Sequence, residues 1–498
     1  MSERGVLVAS TGIDGLDDIL GGGLPRDRAY VFQGSPGVGK TTIGLQFLLE
    51  GHRAGEKGLF VTLSESAEEL RGAAGSHGWS LEAIPLHEIT PSGEESNGEA
   101  DNTLFQPAEV ELGETTRSIL REVERINPSR VVIDSLSEVR LLSQSALRYR
   151  RQILALKKFF AERRCTALFL DDAPTEGSDI HLQTIAHGVV NLEQLAPLYG
   201  ADRRRLRVLK LRGVKFRGGF HDFKIETGGV VVYPRLIAAE HHGHFVREQV
   251  SSGIPQIDQL LGGGLDRGTT SLILGPAGTG KSAIAAQYAA AAASRGEPVV
   301  IFTFDEGLGT LFARTRALRI PLDEQIEKGR IRVQQIDPAE LSPGEFTALV
   351  RHSIEEFKAR MIVIDSLNGY YNAMPEENLL AVQLHELFTY LRQRGVLVIV
   401  TMAQHGLIGP AMGTPIDVSY LADTVILLRY FEAEGEIRKA ISIMKKRSGS
   451  HESYIRPLTL DSSGLRVGDP LKEFTGILSG TPVYSGSPLL KESERDGG

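Results

Sequence analysis

One motif occurs twice in this chain and constrains its fold more than any other feature. GSPGVGKT spans residues 34–41, GPAGTGKS spans residues 275–282, and both match G-x-x-x-x-G-K-[ST]. The glycines let backbone N–H groups close around phosphate oxygens, and the helix that follows points its positive end at the same charge. Each copy has an apolar, strand-like run before it and a helical run after it, as the motif requires. The chain is therefore predicted to bind nucleoside triphosphate at two sites.

The two loops predict matching sets of contacts. Lys40 and Lys281 are expected to reach the terminal phosphates as catalytic point charges, and the hydroxyls of Thr41 and Ser282 are expected to bind Mg²⁺. The predicted nucleotide-binding residues of the first loop are Gly34, Ser35, Pro36, Gly37, Val38, Gly39, Lys40, Thr41 and Thr42. Those of the second loop are Gly275, Pro276, Ala277, Gly278, Thr279, Gly280, Lys281, Ser282 and Ala283.

The repeat extends well beyond the loops. TGIDGLDDILGGGLPRD at residues 11–27 is echoed by SGIPQIDQLLGGGLDRG at residues 252–268, and Lys40 and Lys281 lie at the same offset of 241 residues. We therefore predict two homologous domains, 1–242 and 243–484, with a disordered tail at 485–498. EHHGH near the join contains three histidines that could bind a metal, but no acidic or cysteine partner is suitably spaced, so a solvated linker is favoured.

Within each half, apolar strand-like runs alternate with amphipathic helical runs. GLFVTLSE and ALFLDD in the first half correspond to PVVIFTFDE and LVIVTMAQ in the second. This alternation predicts an α/β fold with a mostly parallel sheet covered by helices on both faces, and ligands at the carboxyl ends of the strands. The acidic stretch at residues 90–103 is predicted to be a mobile surface insertion.

Composition narrows the class of protein. The 498 residues include a single cysteine and carry a net charge of -8. No run approaches the roughly 18 apolar residues of a membrane helix, so we expect a cytoplasmic protein without a membrane partner. The acidic balance argues against a dedicated nucleic-acid binder.

Acidic residues follow several of the predicted strands. Asp134 and Asp365 end the runs VVID and IVID, where a carboxylate can orient Mg²⁺; the alternative is an aspartate that caps the next turn. Glu65 and Glu306 are predicted to position or deprotonate water, and Glu306 also to bind the metal. Asp305 precedes Glu306, whereas the matching residue of the first half is Ser64, so the second half is expected to have more catalytic equipment. A solvated acidic pair is the alternative.

A basic strand lies near the end of each half. Lys210 and Arg212 in the first half correspond to Lys445 and Arg447 in the second, and alternate residues of a strand project to the same side. We favour a contact with the triphosphate of a neighbouring subunit. A solvated edge strand and a nucleic-acid contact are the alternatives.

These motifs together resemble the KaiC family of ATPases and its bacterial and archaeal relatives in the RecA superfamily. The resemblance runs from about Ser10 to about Tyr484 and includes HGWSLE around Trp79, KLRG at Lys210, DTVILLRYFE after residue 422, KKRSGSH and FTGILSGTP. It implies two tandem RecA-like domains in a double-ring homohexamer, with ATP and Mg²⁺ between adjacent subunits.

The resemblance also implies that the first domain hydrolyses ATP and that the second also phosphorylates itself. The phosphoacceptor pair of the family falls on Ser419 and Tyr420 here, so Ser419 is the implied acceptor. The family's base for that reaction falls on Asp305, which replaces a glutamate. The segment FTGILSGTPVYSG resembles a C-terminal loop through which regulatory proteins act.

Three functions follow as hypotheses. The first is an ATP-hydrolysing hexamer that autophosphorylates at Ser419 and serves as a signalling switch. The second is a RecA-like, DNA-dependent ATPase, which the negative charge and the lack of an aromatic, basic stretch disfavour. The third is an assembly scaffold that is controlled by nucleotide and has little turnover.

Overall fold

A computed structural model describes residues 6–89, 107–143, 145–172, 180–197, 200–372, 380–404, 420–478 and 482–484. Contacts within the chain divide it into two compact units between Arg235 and Leu236. The predicted insertion at 90–103, the tail at 485–498 and Ser419 lie outside the described residues.

The first unit contains eleven described strands and seven described helices. In chain order they are β1 (Val8–Ala9), α1 (Asp14–Leu20), β2 (Leu24–Pro25), β3 (Ala29–Gly34), α2 (Lys40–Arg53), β4 (Gly58–Thr62), α3 (Ala67–Ser76), β5 (Leu86–Glu88), α4 (Pro107–Ile126), β6 (Arg130–Asp134), α5 (Leu136–Ser143), α6 (Ala146–Glu162), β7 (Thr166–Asp172), α7 (Ile180–Ile185), β8 (Gly188–Leu195), β9 (Arg203–Leu211), β10 (His221–Glu226) and β11 (Gly229–Tyr233).

The second unit begins with a short 3-10 helix at Ala238–Glu240 and then follows largely the same order, with one additional helix and two additional strands. Its elements are β12 (Gln249–Val250), α8 (Pro255–Leu260), β13 (Leu265–Asp266), β14 (Thr270–Gly275), α9 (Lys281–Ser294), β15 (Val299–Thr303), α10 (Leu308–Ala317), α11 (Leu322–Glu327), β16 (Ile331–Gln335), α12 (Pro343–Glu355), β17 (Met361–Asp365), α13 (Leu367–Asn372), α14 (Leu380–Gln393), β18 (Leu397–Ala403), β19 (Thr424–Ala433), β20 (Glu436–Lys446), β21 (Arg456–Asp461), β22 (Gly464–Val467), β23 (Phe474–Thr475) and β24 (Val483–Tyr484).

Each unit is built on one nine-stranded sheet. The strand order is β11-β10-β9-β8-β3-β7-β6-β4-β5 in the first unit and β16-β15-β17-β18-β14-β19-β20-β21-β22 in the second, which is the same arrangement. The six strands from β5 to β8 run parallel, and β9, β10 and β11 are added antiparallel. The prediction of two tandem RecA-like domains with mostly parallel sheets is confirmed.

Both faces of the first sheet are buried, and alternate side chains of the central strand β3 pack into two hydrophobic cores. Tyr30 and Phe32 pack with helix α2 on one face, whereas Ala29 and Val31 pack with helices α5 and α6 on the other. Gly44 lets α2 approach the sheet closely, since a Cβ there would lie 2.9 Å from the Val132 side chain. None of the described helices combines the length and the apolar composition needed to cross a bilayer.

A buried arginine at the start of strand β6 connects several segments of the first unit. Arg130 is 1% exposed, and its guanidinium donates to Glu56 Oε2 at 2.5 Å and to the carbonyls of Ser10 (2.7 Å) and Phe47 (2.8 Å). These contacts join β6, α2 and the segment before α1. Loss of such an arginine leaves two carbonyls and part of a carboxylate without their donor in a dry site.

We predict that Arg130→Met lowers the free energy of unfolding of the first unit by about 3 kcal/mol. Trp79 is the only tryptophan of the sequence and lies in this unit, so its fluorescence in a urea titration reports on the first unit alone. The control is Arg125→Met, which removes a 68%-exposed arginine paired with Glu122 and should cost less than about 1 kcal/mol. Equal effects of the two substitutions would contradict the prediction.

Candidate functional site

The first glycine-rich loop connects the end of a buried strand to the start of a helix. Strand β3 ends at Gly34 and helix α2 begins at Lys40, so the loop lies at the carboxyl end of the parallel strands. Gly37 (φ 77°) and Gly39 (φ 108°) adopt the left-handed region, which disfavours any residue with a Cβ. The second loop has the same conformation at Gly278 and Gly280. Both loops therefore have the backbone conformation and the following helix N-terminus that binding of a phosphate requires.

The lysine of each loop folds back over the loop. Lys40 Nζ donates to the carbonyls of Gly34 (2.6 Å) and Ser35 (3.1 Å), and Lys281 Nζ donates to those of Gly275 (2.9 Å) and Pro276 (2.8 Å). Burial lowers the pKa of Lys281, and the Asp365 carboxylate acts in the opposite direction. Phosphate oxygens are acceptors that can replace or extend these contacts.

One acidic residue beside the first lysine was missed by the sequence analysis. Asp172 Oδ1 lies 3.1 Å from Lys40 Nζ, because β7 is the parallel neighbour of β3 and its last residue is in register with Gly34. In the second unit the residue in register with Gly275 is Ala403. Lys40 thus has a carboxylate partner at a position where the second unit carries the methyl group of Ala403. The signal was present as the second aspartate of ALFLDD, but only the strand order shows which loop it faces.

The hydroxyl and the aspartate predicted to bind the metal meet in both units, whereas Glu306, the remaining predicted metal ligand, is paired with Arg314. Thr41 Oγ1 donates to Asp134 Oδ2 at 2.7 Å, and Ser282 Oγ donates to Asp365 Oδ1 at 3.0 Å. Asp365 Oδ1 also accepts from Thr401 Oγ1 at 2.5 Å. Burial raises the pKa of Asp134, opposed by the Thr41 hydrogen bond and the Lys40 charge. The peptide bond after each aspartate is cis.

This donor set fits Mg²⁺. Magnesium prefers oxygen ligands and is usually held by one or two carboxylates or hydroxyls together with substrate phosphates. Within the described part of the chain, no three His, Cys, Asp or Glu side chains gather into a metal site of their own, and this holds for the histidines of EHHGH. Thr41 with Asp134, and Ser282 with Asp365, are the residues that would hold the ion beside a bound nucleotide.

The acids that follow the next strand differ between the units. In the first, the Thr62 hydroxyl donates to the Glu65 carbonyl at 2.7 Å, and burial together with the charges of Asp134 and Glu69 raises the pKa of the Glu65 carboxyl. In the second, the matching Thr303 hydroxyl donates to the Glu306 carbonyl at 2.9 Å.

Both acids of the second unit have side-chain partners. Glu306 Oε1 accepts a hydrogen bond from Arg314 Nη1 at 2.5 Å, and Asp305 Oδ2 accepts one from the Ser366 hydroxyl. Gly369 leaves room for the Asp305 carboxylate, since a Cβ at that position would collide with Asp305 Oδ1. The second unit therefore has two carboxylates where the first has one, but each of them is held.

The basic strands β9 and β20 lie away from the phosphate loop of their own unit. Lys210 pairs with Val189 near the start of β8, whereas Leu192 of β8 is in register with Gly34; three residues of strand correspond to about 10 Å. Lys210 and Arg212 both donate to the Thr184 carbonyl, at 3.3 and 3.1 Å, so they project to one side as predicted.

Matching contacts occur in the second unit. Lys445 donates to the Ala422 carbonyl at 2.8 Å, and Arg447 donates to the Tyr420 carbonyl at 3.2 Å. Tyr420 is 51% exposed. Ser419, the implied phosphoacceptor, lies outside the described residues.

Comparison with known proteins places these features in a family. The model of the ATPase family KaiC matches residues 9–237 and 250–472. Circadian clock protein KaiC3 of Synechocystis sp. is 28% identical over 97% of this chain and 95% of that protein. The circadian clock oscillator proteins KaiC of Picosynechococcus sp. (27%; 96% and 93%) and Thermostichus vulcanus (28%; 95% and 91%) are similar over comparable lengths. The family match covers both phosphate loops and their partner aspartates, and the chain therefore belongs to the KaiC ATPase family.

Proposed function

We propose that this chain hydrolyses ATP as a homohexameric signalling protein and that its second domain also transfers phosphate to Ser419. The observation that carries the proposal is the pairing, in both units, of a left-handed glycine loop with a hydroxyl–aspartate pair at the same edge of the sheet. ATP binds at each loop, and Mg²⁺, when bound, neutralises the charge that develops on the γ-phosphate.

Glu65 acts as the general base of the first domain. Its backbone is held by Thr62, and its raised pKa brings the carboxyl closer to neutral pH, where a base both exists as the carboxylate and accepts a proton readily. Lys40 and the N-terminus of α2 hold the phosphates while water attacks. When ATP binds, the ion pair between Lys40 and Asp172 weakens, because the phosphates replace the Asp172 carboxylate as the partner of the ammonium group.

A hexamer with nucleotide between subunits accounts for the basic strands. Lys210 and Arg212 lie about 10 Å along the sheet from the phosphate loop of their own unit, and they donate hydrogen bonds to the carbonyls of residues 183 and 184. An ATP that they contact therefore belongs to another copy of the chain. Lys445 and Arg447 serve the second domain in the same way. Strands β23 and β24 pair antiparallel in the segment that we propose binds regulatory proteins.

Incubation of the full chain with γ-labelled ATP and Mg²⁺ tests the proposal as a whole. We expect release of labelled phosphate together with label on the second domain. Nucleotide-dependent assembly without turnover would favour a scaffold, and turnover that depends on DNA and falls steeply with salt would favour a nucleic-acid motor.

Glu65→Gln should reduce turnover by the first domain about 10²- to 10⁴-fold, because the amide cannot accept the proton of the attacking water. The assay uses the full chain with Lys281→Ala, which silences the second loop. For the parent, turnover should fall as the pH is lowered through the raised pKa of Glu65, since the protonated carboxyl is not a base. Glu68→Gln, on the exposed first turn of α3, is the matched control. Equal turnover by both variants would contradict the role of Glu65.

A subunit-mixing experiment tests the action of Arg212 across the interface. Lys40→Ala and Arg212→Ala chains, each also carrying Lys281→Ala, should be nearly inactive alone. Mixed hexamers should regain turnover, because an intact loop can then meet an intact arginine from its neighbour. If mixing restores nothing while mixed assemblies form, Arg212 does not act on a neighbouring site.

Ser419→Ala should abolish phosphorylation of the second domain, because it removes the acceptor hydroxyl. The control Tyr420→Phe removes only the phenol next to it and should retain the label. Peptide mapping by mass spectrometry after incubation with ATP measures both. Retained label in Ser419→Ala, or its loss only in Tyr420→Phe, would contradict the assignment.

A further inference from the structure

We propose that Arg314 is a positioning residue that restrains Glu306 and slows ATP hydrolysis in the second domain. The inference rests on the proposed function, extended to the second domain with Glu306 in the role that Glu65 has in the first. Its consequence is a division of labour: ATP at the second site persists long enough to be used for phosphate transfer to the protein, whereas ATP at the first site is hydrolysed.

The restraint is a hydrogen-bonded ion pair within one helical segment. Glu306 precedes helix α10, and Arg314 lies two turns into that helix, with Nη1 2.5 Å from Glu306 Oε1. The two side chains are 28% and 19% exposed, so the pair is only partly screened by solvent. The Nε and Nη2 atoms of Arg314 are buried and have no hydrogen-bond partner among the described residues. Because this guanidinium has so few other contacts, breaking its hydrogen bond to Glu306 costs free energy.

The first domain lacks this restraint although the strand, turn and helix around Glu65 correspond to those around Glu306. Ala73 occupies the position of Arg314 at the repeat offset of 241 residues, on the corresponding helix α3, and it is exposed. In the described parts of the chain, no cation lies within ion-pair distance of Glu65. Because Thr62 and Thr303 anchor the two glutamates alike, the arginine is a difference that acts on the carboxylate itself.

The chemistry of hydrolysis explains why this pair matters. An O–H bond of water breaks and its proton moves to the glutamate; the water oxygen bonds to the γ-phosphorus while the bond from that phosphorus to the ADP oxygen breaks, leaving ADP and inorganic phosphate. A protonated glutamate is neutral, so proton transfer to Glu306 sacrifices its attraction to Arg314. Asp305, to which the family resemblance assigns phosphate transfer, is held separately by Ser366 and takes no part in the pair.

The test measures turnover of the full chain with the first loop silenced by Lys40→Ala. Arg314→Gln should raise kcat about fivefold and leave KM for ATP within about twofold, because a partly exposed pair is lost while the nucleotide loop is untouched. Arg314→Lys retains the charge and should recover at least half of the restraint. Arg316→Gln, on the exposed face of the same helix and paired with Asp323, should leave kcat unchanged.

The reciprocal variant covers the case in which Arg314→Gln fails to assemble. The second loop is silenced by Lys281→Ala. In that background Ala73→Arg should lower kcat severalfold, because it places a cation beside Glu65 at the position that corresponds to Arg314. A kcat that is unchanged or lower in Arg314→Gln, or unchanged in Ala73→Arg, overturns the inference.

Glu306→Gln in the Lys40→Ala background separates this inference from the proposed function. If turnover falls in Glu306→Gln but does not respond to Arg314→Gln, Glu306 is the base and the inference alone is wrong. If Glu306→Gln changes nothing, the proposed role of Glu306 fails, and the inference fails with it.

Discussion

The position of one strand determines what the rest of each unit can do. β3, and likewise β14, lies at the centre of a parallel sheet, so its carboxyl end is surrounded by the carboxyl ends of neighbouring strands. The glycine loop that follows can turn into a helix only through the left-handed conformations of Gly37 and Gly39. Once that turn is made, Thr41 on the helix meets Asp134 from a strand two places away. The glycine loop and Asp134 are thus brought together by strand order, although they are far apart in the sequence.

The duplicated scaffold carries two unlike sets of ion pairs. In the first unit Lys40 is paired with Asp172, and no cation among the described residues pairs with Glu65. In the second unit Ala403 stands at the position of Asp172, and Glu306 is paired with Arg314. The ion pair of the first unit therefore engages Lys40, the lysine proposed to bind phosphate. The ion pair of the second unit engages Glu306, the proposed base. This contrast favours hydrolysis at the first site, whereas the number of carboxylates alone favours the second.

Much of the fold and part of the candidate site could be predicted from the sequence, because these features depend on patterns among residues close together in the chain. The two loops, the repeat, the α/β class and the strand-end acids Asp134 and Asp365 all follow from motifs and from alternation of strands and helices. Asp172 and Arg314 could not be found that way. The partner of Asp172 is set by the order of strands β7 and β3, and the partner of Arg314 by the rotation of one side chain on α10. A charged residue on a helix is usually solvated, so its presence in a sequence does not indicate a partner.

The central claim is that the two nucleotide sites are inequivalent because of these pairs. It is tested most directly by the ratio of steady-state kcat values of two full-length variants at saturating Mg²⁺ and ATP: Lys281→Ala, in which only the first site works, and Lys40→Ala, in which only the second does. The account predicts that the variant with the first site alone turns over ATP at least about fivefold faster. Equal rates, or faster turnover by the second site alone, would contradict it.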